Sequence, residues 1–136
     1  MKMTILAVLG TVGSVVSWLF GGWSAAMTTL AIFMAADYIT GFLVAAVFKA
    51  SPKTESGALE SRAGFKGLCR KGIILLMVLI AHRLDVSLGV SFIRDGVIIA
   101  YTLNEVISVI ENVGLMGLPI PSAVTKAIDM LRGDGK

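Results

Sequence analysis

The side chains best suited to catalysis or metal binding are too few and too scattered to form a site. The chain has one cysteine, Cys69, and one histidine, His82, so it lacks the cluster of thiolates and imidazoles that a zinc site requires. Glu105 and Glu111 lie on one predicted helix but about 120° apart around it, unlike the converging acid pair of a glycosidase. Phosphate-binding, metalloprotease and serine-nucleophile motifs do not occur in the sequence. We therefore predict no enzymatic activity, no catalytic residue, no metal site and no cofactor.

Asp37 is the one charged residue within a long apolar run, from residue 24 to residue 48. A carboxylate at the centre of a membrane helix costs about 2.5–3.5 kcal/mol on insertion scales, so Asp37 should face protein or water, or be protonated. Intramembrane acids are functional by default. A small ion-coupled transporter or channel subunit that uses Asp37 and Glu105 is therefore the alternative function, although the sequence lacks the repeated halves typical of transporters.

The composition predicts that the elements carrying these residues lie in a membrane. Hydrophobic residues make up 56% of the 136 residues and charged residues 15%, and the mean hydropathy is +0.86. Soluble domains contain roughly 45–50% apolar and about 25% charged residues, and a short chain buries the smallest share of its surface. The prediction is an all-α integral membrane protein, with residues 1–136 as a single membrane domain.

Four apolar runs predict the transmembrane helices, at about residues 3–20, 24–48, 72–90 and 95–113. Residues 27–48 alone would measure about 33 Å, enough to cross a hydrocarbon core of about 30 Å. The third run has only ten unbroken apolar residues before His82, Arg83 and Asp85. Three or four crossings are therefore possible, with four favoured, and His82 is expected to pair with Asp85 on one helix face.

Residues 49–71 interrupt the apolar runs and are predicted to form a polar, basic loop between the second and third helices. The loop contains six lysines and arginines, among them Lys66, Arg70 and Lys71, and a short basic helix at 65–71 could rest on anionic headgroups. With both termini inside, ten of the 12 basic residues lie on the cytoplasmic side, so the topology N-in/C-in is favoured. The loop is too short for a nucleic-acid-binding module. A short helix at about 122–132 is predicted to end the chain.

Two kinds of helix face suggest how such a protein could assemble. Small residues on one face let helices approach closely in lipid, and they predict packing between copies through Gly10, Ser14, Ser17 and Gly21 on the first helix and Gly41 and Ala45 on the second. The fourth helix has an apolar stripe. Its other face carries Tyr101, Asn104, Glu105, Ser108, Glu111 and Asn112. This polar face could line a water-filled lesion or, alternatively, face the interior of a four-helix bundle.

From about Asp37 to Pro121 the chain carries a series of short motifs in a specific order. They are Asp37-Tyr38-Ile39-Thr40-Gly41, Ser61, Gly64-Phe65-Lys66-Gly67-Leu68, Arg70-Lys71, Leu84-Asp85, Asn104-Glu105, Ile107-Ser108, Ile110-Glu111-Asn112 and Gly117-Leu118-Pro119-Ile120-Pro121. In these motifs the chain resembles the bacteriophage holins, in the group that also contains the clostridial toxin-secretion holins.

The resemblance implies a protein that is not an enzyme and acts on the host membrane. Such holins accumulate in the bacterial cytoplasmic membrane, form homo-oligomers and open lesions at a set time. A peptidoglycan hydrolase then escapes without binding the holin directly, and the cell lyses, whereas relatives release toxins. The implied partners are the lipid bilayer, other copies of the chain and this hydrolase as a functional partner, with no nucleic acid.

Overall fold

The computed structural model describes residues 1–133, apart from the side chains of residues 131 and 132. In this range the chain forms five α-helices and no β-strand: α1 (Lys2–Leu19), α2 (Ala25–Ala46), α3 (Ser61–Leu88), α4 (Ile93–Leu115) and α5 (Ser122–Arg132). The prediction of an all-helical protein is confirmed.

Among residues 1–133, three helices are long and apolar enough to cross a membrane: α1, α2 and α4. Although α3 has 28 residues, its apolar middle lies between basic residues near the start and Arg83 and Asp85 near the end. Its length therefore suffices for a crossing, but its composition does not by itself identify one. The fourth crossing remains a prediction.

The segment between α2 and α3 differs from the predicted loop at 49–71. Residues 61–71 form the first three turns of α3, so the prediction of a loop was wrong for this half of the segment. No proline or acidic residue interrupts 61–71, and its basic residues favour helix over loop. The remaining loop, 47–60, is closed by bonds from the Ser51 N–H to the Gly57 carbonyl (3.0 Å) and from the Thr54 hydroxyl to the Ala58 carbonyl (2.9 Å).

The core lies where α2, α3 and α4 meet. α4 packs against both α2 and α3, and the α2–α4 contact is the more extensive. The buried side chains of this core come from all three helices: Met27, Leu30, Met34, Ile74, Val78 and Ile98. In α2 and α3 these residues recur at steps of three or four, so each of the two helices turns one apolar stripe towards the core, and α4 adds Ile98.

α1 stands apart from this core, because none of its described residues is buried. The chain turns between α1 and α2 at Gly21 and Gly22, which both have positive φ angles. The guanidinium of Arg94 donates to the carbonyls of Gly21 (3.0 Å) and Gly22 (2.9 Å) and to Ser24 Oγ (3.3 Å). The imidazole of His82 lies directly against Gly21. α1 is therefore held mainly at its C-terminal end.

Asp85 joins α3 to the start of α4. Its two carboxylate oxygens accept the backbone N–H groups of Ile93 (2.9 Å) and Arg94 (3.0 Å). The first N–H groups of a helix have no partner within it, and the N-cap residue Phe92 has no side-chain oxygen to supply one. The prediction that Asp85 pairs with His82 was therefore wrong, because the carboxylate of Asp85 accepts hydrogen bonds from the first N–H groups of α4 instead.

Candidate functional site

Three charged side chains from three helices meet inside the protein. Lys71 Nζ on α3 lies 2.7 Å from Asp37 Oδ2 on α2 and 2.8 Å from Glu105 Oε2 on α4. The side chains of Lys71, Asp37 and Glu105 are only 15%, 11% and 4% exposed, respectively. We call Asp37, Lys71 and Glu105 the charge cluster. It links α2, α3 and α4 at one point.

The helices bring these residues to a common level. Ser24, Asp85 and Ile93 lie at the same end of the bundle, where Arg94 contacts Ser24 and Asp85 contacts Ile93. From this end, each helix rises about 20 Å before it reaches its member of the charge cluster. In a hydrocarbon core of about 30 Å, the cluster would lie about two thirds of the way across.

The second carboxylate oxygen of Asp37 organises a polar network with α4. Asp37 Oδ1 accepts hydrogen bonds from the Ser108 hydroxyl and from Asn112 Nδ2 (3.1 Å). Asn112 Nδ2 also lies 3.2 Å from the Asp37 carbonyl and 2.9 Å from Thr40 Oγ1. We call Asp37, Thr40, Ser108 and Asn112 the polar network. Every member is bonded to another, which is what burial of polar groups requires.

Small residues on α2 allow α4 to approach closely enough for these bonds. A Cβ atom at Gly41 would lie 3.7 Å from Asn112 Nδ2, in van der Waals contact, so Asn112 packs directly against α2 at this position. Ala45, one turn further on, is buried. Within one chain Gly41 lies against α4, and the packing of Gly41 and Ala45 between copies stays a prediction.

Glycines on α3 lie against a neighbouring face of α2, at Tyr38. The Tyr38 hydroxyl donates to the Gly64 carbonyl (3.3 Å). Cβ atoms at Gly64 and Gly67 would lie 3.4 Å and 3.6 Å from atoms of the Tyr38 side chain. The absence of side chains at these positions brings α3 against α2, and Lys71, one turn beyond Gly67, then reaches Asp37.

A cavity of about 330 Å³ lies beside the charge cluster. Its walls include Asp37, Glu105 and Asn104, and residues 51–54 of the loop between α2 and α3 also line it. Apolar residues such as Phe42 and Leu59 complete the lining, and the volume is large enough for water molecules. The charge cluster is thus buried by protein but borders a cavity of mixed polar and apolar lining.

The structure divides the predicted polar face of α4. Ser108 and Asn112 bond to α2, Glu105 pairs with Lys71 of α3, Tyr101 packs against the core, and Asn104 and Glu111 are exposed. On the predicted small-residue face of α1, Gly10 and Ser14 are exposed, Ser17 is half-buried, and Gly21 contacts His82. Of the predicted basic residues, Lys66 and Arg70 are exposed.

Lys71 is the member of the charge cluster whose surroundings the sequence does not predict. The sequence predicts a solvated basic segment at 49–71, with a short helix possible at 65–71, whereas Lys71 lies in α3 and pairs with two carboxylates. One signal was available. Lys71 precedes Ile74 and Val78 at steps of three and four, and both of these residues are buried. Lys71 therefore shares the inward face of its helix.

The charge cluster is suited to holding helices in register. Within residues 1–133, no three histidine, cysteine or acidic residues are grouped as a metal site would require. The ammonium of Lys71 itself lies between the two carboxylates, where a bound cation would otherwise be expected. Removing one member of such a buried group leaves an uncompensated charge, which is far more costly than leaving the group intact.

Comparison with known proteins gives one consistent family. The sequence profile of the bacteriophage holin family matches residues 14–133. An uncharacterized protein of Halalkalibacterium halodurans is 38% identical over 125 residues, which cover 88% of this chain and 87% of the relative. An uncharacterized 14.9 kDa protein of Clostridium perfringens is 35% identical over 123 residues, 89% of this chain and 87% of the relative.

A more distant relative has a functional name. A probable holin of Bacillus phage phi105 is 28% identical over 99 residues, which cover 72% of this chain and 67% of the phage protein. No solved structure matches the chain.

Proposed function

Because this chain belongs to the bacteriophage holin family, we propose that it is a holin of the bacterial cytoplasmic membrane. Identical copies gather in the bilayer and open lesions. An endolysin passes through these lesions to the peptidoglycan without binding the holin, and host lysis follows. Alternatively, the protein released through the lesions is a large toxin.

The proposed topology is multi-pass, with both termini in the cytoplasm. The distribution of basic residues supports it, since ten of 12 then lie inside. Contacts of α3 at two points, the end of the bundle and the charge cluster, support a membrane crossing by α3 as well. α3 meets the start of α4 through Asp85 and meets α2 and α4 through Lys71. α3 therefore runs alongside two helices that are apolar enough to span.

The observation that supports the proposal most directly is a set of polar side chains buried between helices whose other surfaces are apolar. In the single chain, Glu105, Ser108 and Asn112 have partners on α2 and α3. Unsatisfied polar groups in hydrocarbon cost several kcal/mol each, so a single chain keeps this surface closed. We propose that assembly turns it, with Tyr101, Asn104 and Glu111, towards a water-filled lesion. Water then replaces the internal partners, which makes opening dependent on the concentration of copies.

The proposed contact between copies involves α1. This helix is apolar, and along one face its Gly10 and Ser14 are exposed and its Ser17 is half-buried. In lipid, helices associate by close packing of such small residues. α1 of one copy would thus pack against a neighbouring copy, while the other helices retain their own core.

Inducible expression in a bacterium, together with a lysozyme that lacks an export signal, tests the function. The expected result is normal growth, followed after a delay by sudden loss of membrane potential and release of the lysozyme. Continued growth with the lysozyme retained would contradict a holin role. Expression without lysozyme is the control, because lysis should then be slow although the membrane potential still collapses.

Single cysteines in a C69S background test the proposed lesion lining. Asn104→Cys, Ser108→Cys and Asn112→Cys are treated with a membrane-impermeant thiol reagent before and after the potential collapses. We expect S108C and N112C to become reactive only after collapse. Ile99→Cys is the matched control, since Ile99 is 65% exposed on the apolar side of α4 and should remain in lipid. Unreactive positions 108 and 112 after collapse would exclude this lining.

A transporter or channel subunit is the second candidate, because Asp37 and Glu105 do converge on one point. Lys71 occupies that point, however, and leaves no site for a free cation between the carboxylates. Ion-coupled uptake in growing cells, lost in Asp37→Asn, would favour this candidate over the holin.

A further inference from the structure

We propose that three exposed basic residues of α3, Arg62, Lys66 and Arg70, bind the phosphate groups of anionic phospholipids. We call them the basic stripe. They are four positions apart, so they follow one another along the helix surface, and all three are exposed. The proposal assumes a membrane location but not lesion formation.

Packing determines which way the basic stripe faces. Gly64, Gly67 and Lys71 lie against α2 and the charge cluster. Arg62 lies about 180° around the helix from Lys71 and Lys66 about 140° from it. Contacts that turn Lys71 inward therefore turn the first two members of the stripe away from the protein.

The protein does not neutralise the basic stripe. Within residues 1–133, both salt bridges are made by Lys71. Glu60 precedes the helix, but α3 itself contains no acidic residue from Ser61 to Leu84, so the three cations outnumber the acidic residues beside them. Three adjacent cations without an internal partner favour an external anion.

The surroundings of the stripe favour a lipid over an acidic protein. Phe65 is 68% exposed and Leu68 54% exposed beside the cations. Further along α3 the exposed residues become apolar, at Ile73, Leu76 and Ile80. An aromatic side chain and long basic side chains beside an apolar helix surface are typical of the membrane interface, where aliphatic stems contact acyl chains and charges reach phosphate.

The expected contribution follows from the number of charges. Each lysine or arginine near an anionic membrane surface strengthens association roughly fivefold, so loss of two should weaken the preference for anionic lipid about 30-fold at low salt. High salt should weaken it as well, because exposed charges are screened.

Cys69 provides a reporter, because it is the one cysteine in the sequence and is exposed on α3 beside Arg70. The full-length protein is labelled there with an environment-sensitive fluorophore and reconstituted in phosphatidylcholine vesicles with increasing phosphatidylglycerol. We expect the emission to shift to shorter wavelength as phosphatidylglycerol increases, and high salt to reverse the shift. An emission independent of phosphatidylglycerol would overturn the proposal.

Matched variants assign the effect to the stripe. K66Q/R70Q should lose most of the shift, whereas K49Q/K53Q, which removes two exposed charges from the neighbouring loop, should retain it. K66R/R70K, which keeps the charges, should behave as the unmodified protein. Equal loss in K66Q/R70Q and K49Q/K53Q would overturn the stripe as the binding surface.

A second readout does not depend on the label. Spin-labelled phosphatidylglycerol and spin-labelled phosphatidylcholine are compared for the fraction immobilised by the unlabelled protein. We expect a preference for phosphatidylglycerol that falls towards unity in K66Q/R70Q. A preference unchanged in this variant would overturn the proposal. Because neither experiment measures lysis, this result is independent of the holin assay.

Discussion

Lys71 and Asp37 lie 34 positions apart in the chain, and their side chains meet at 2.7 Å. Glu105, a further 34 positions along, meets the same ammonium at 2.8 Å. One lysine thus connects three helices, and two of these helices, α2 and α4, are apolar enough to span a membrane. The cluster is the natural point at which to test how the closed chain is held together.

Replacing Lys71 by methionine should destabilise the protein strongly. Two carboxylates would remain buried without a counter-charge, and breaking a buried pair in this way costs about 3–5 kcal/mol. Thermal unfolding of the detergent-purified protein, followed by circular dichroism, measures the loss. Arg70→Gln is the matched control, since Arg70 is exposed and should have little effect.

A charge-free cluster separates stability from function. In D37N/K71M/E105Q no charge remains at the cluster, and we expect most of the stability lost in K71M to return. If the polar surface has to rehydrate during lesion formation, this variant should fold normally but trigger later in the expression assay. A triple variant as unstable as K71M would show that the cluster does not act as a unit.

A large side chain at Gly64 should separate α3 from α2. A Cβ there already lies 3.4 Å from the Tyr38 side chain, so Gly64→Leu must displace Tyr38 or the helix, at a cost of about 1–3 kcal/mol. Gly72→Leu is the control, because a Cβ at Gly72 has no described atom nearby other than its own helix and chain neighbours. Equal thermal stability of the two variants would contradict this packing.

Asp85→Ala should weaken the start of α4. Two backbone N–H groups lose their acceptor, and loss of a helix cap costs about 0.5–2 kcal/mol. Asp95→Ala removes the same kind of charge from the first turn of α4 itself, at an exposed position, and serves as the control. Hydrogen exchange of the amides at 93 and 94 should increase in D85A alone. Unchanged exchange would show that the carboxylate does not cap the helix in solution.

The turn that carries α1 should depend on Gly21 and His82 together. Gly21→Ala places a methyl group on the His82 imidazole and also strains a residue with φ +81°. Gly22→Ala strains a similar φ, +94°, without this collision, and should cost only about 1–2 kcal/mol. Adding His82→Ala to G21A should remove the collision, so the double variant should be about as stable in thermal unfolding as G22A. If it recovers nothing, the imidazole does not pack against the turn.

Several features of the fold follow from local sequence alone. The apolar runs at 3–20, 24–48 and 95–113 correspond to α1, α2 and α4 within two residues at each end. Hydropathy and glycine or proline punctuation are local properties, so they locate such helices reliably. The start of α3 was missed by eleven residues, because Arg62, Lys66 and Arg70 resemble a polar loop when their packing surface on α2 is unknown.

Sequence by itself determined that the chain is apolar, helical and related to the holins, because composition, periodicity and motif order do not depend on how helices are arranged. Tertiary structure decided that Lys71 pairs with Asp37 and Glu105, that Asp85 caps α4, and that Asn112 packs against Gly41. Each of these contacts depends on the rotation and level of two helices. Those are set by close packing between residues far apart in the chain, which no local pattern records.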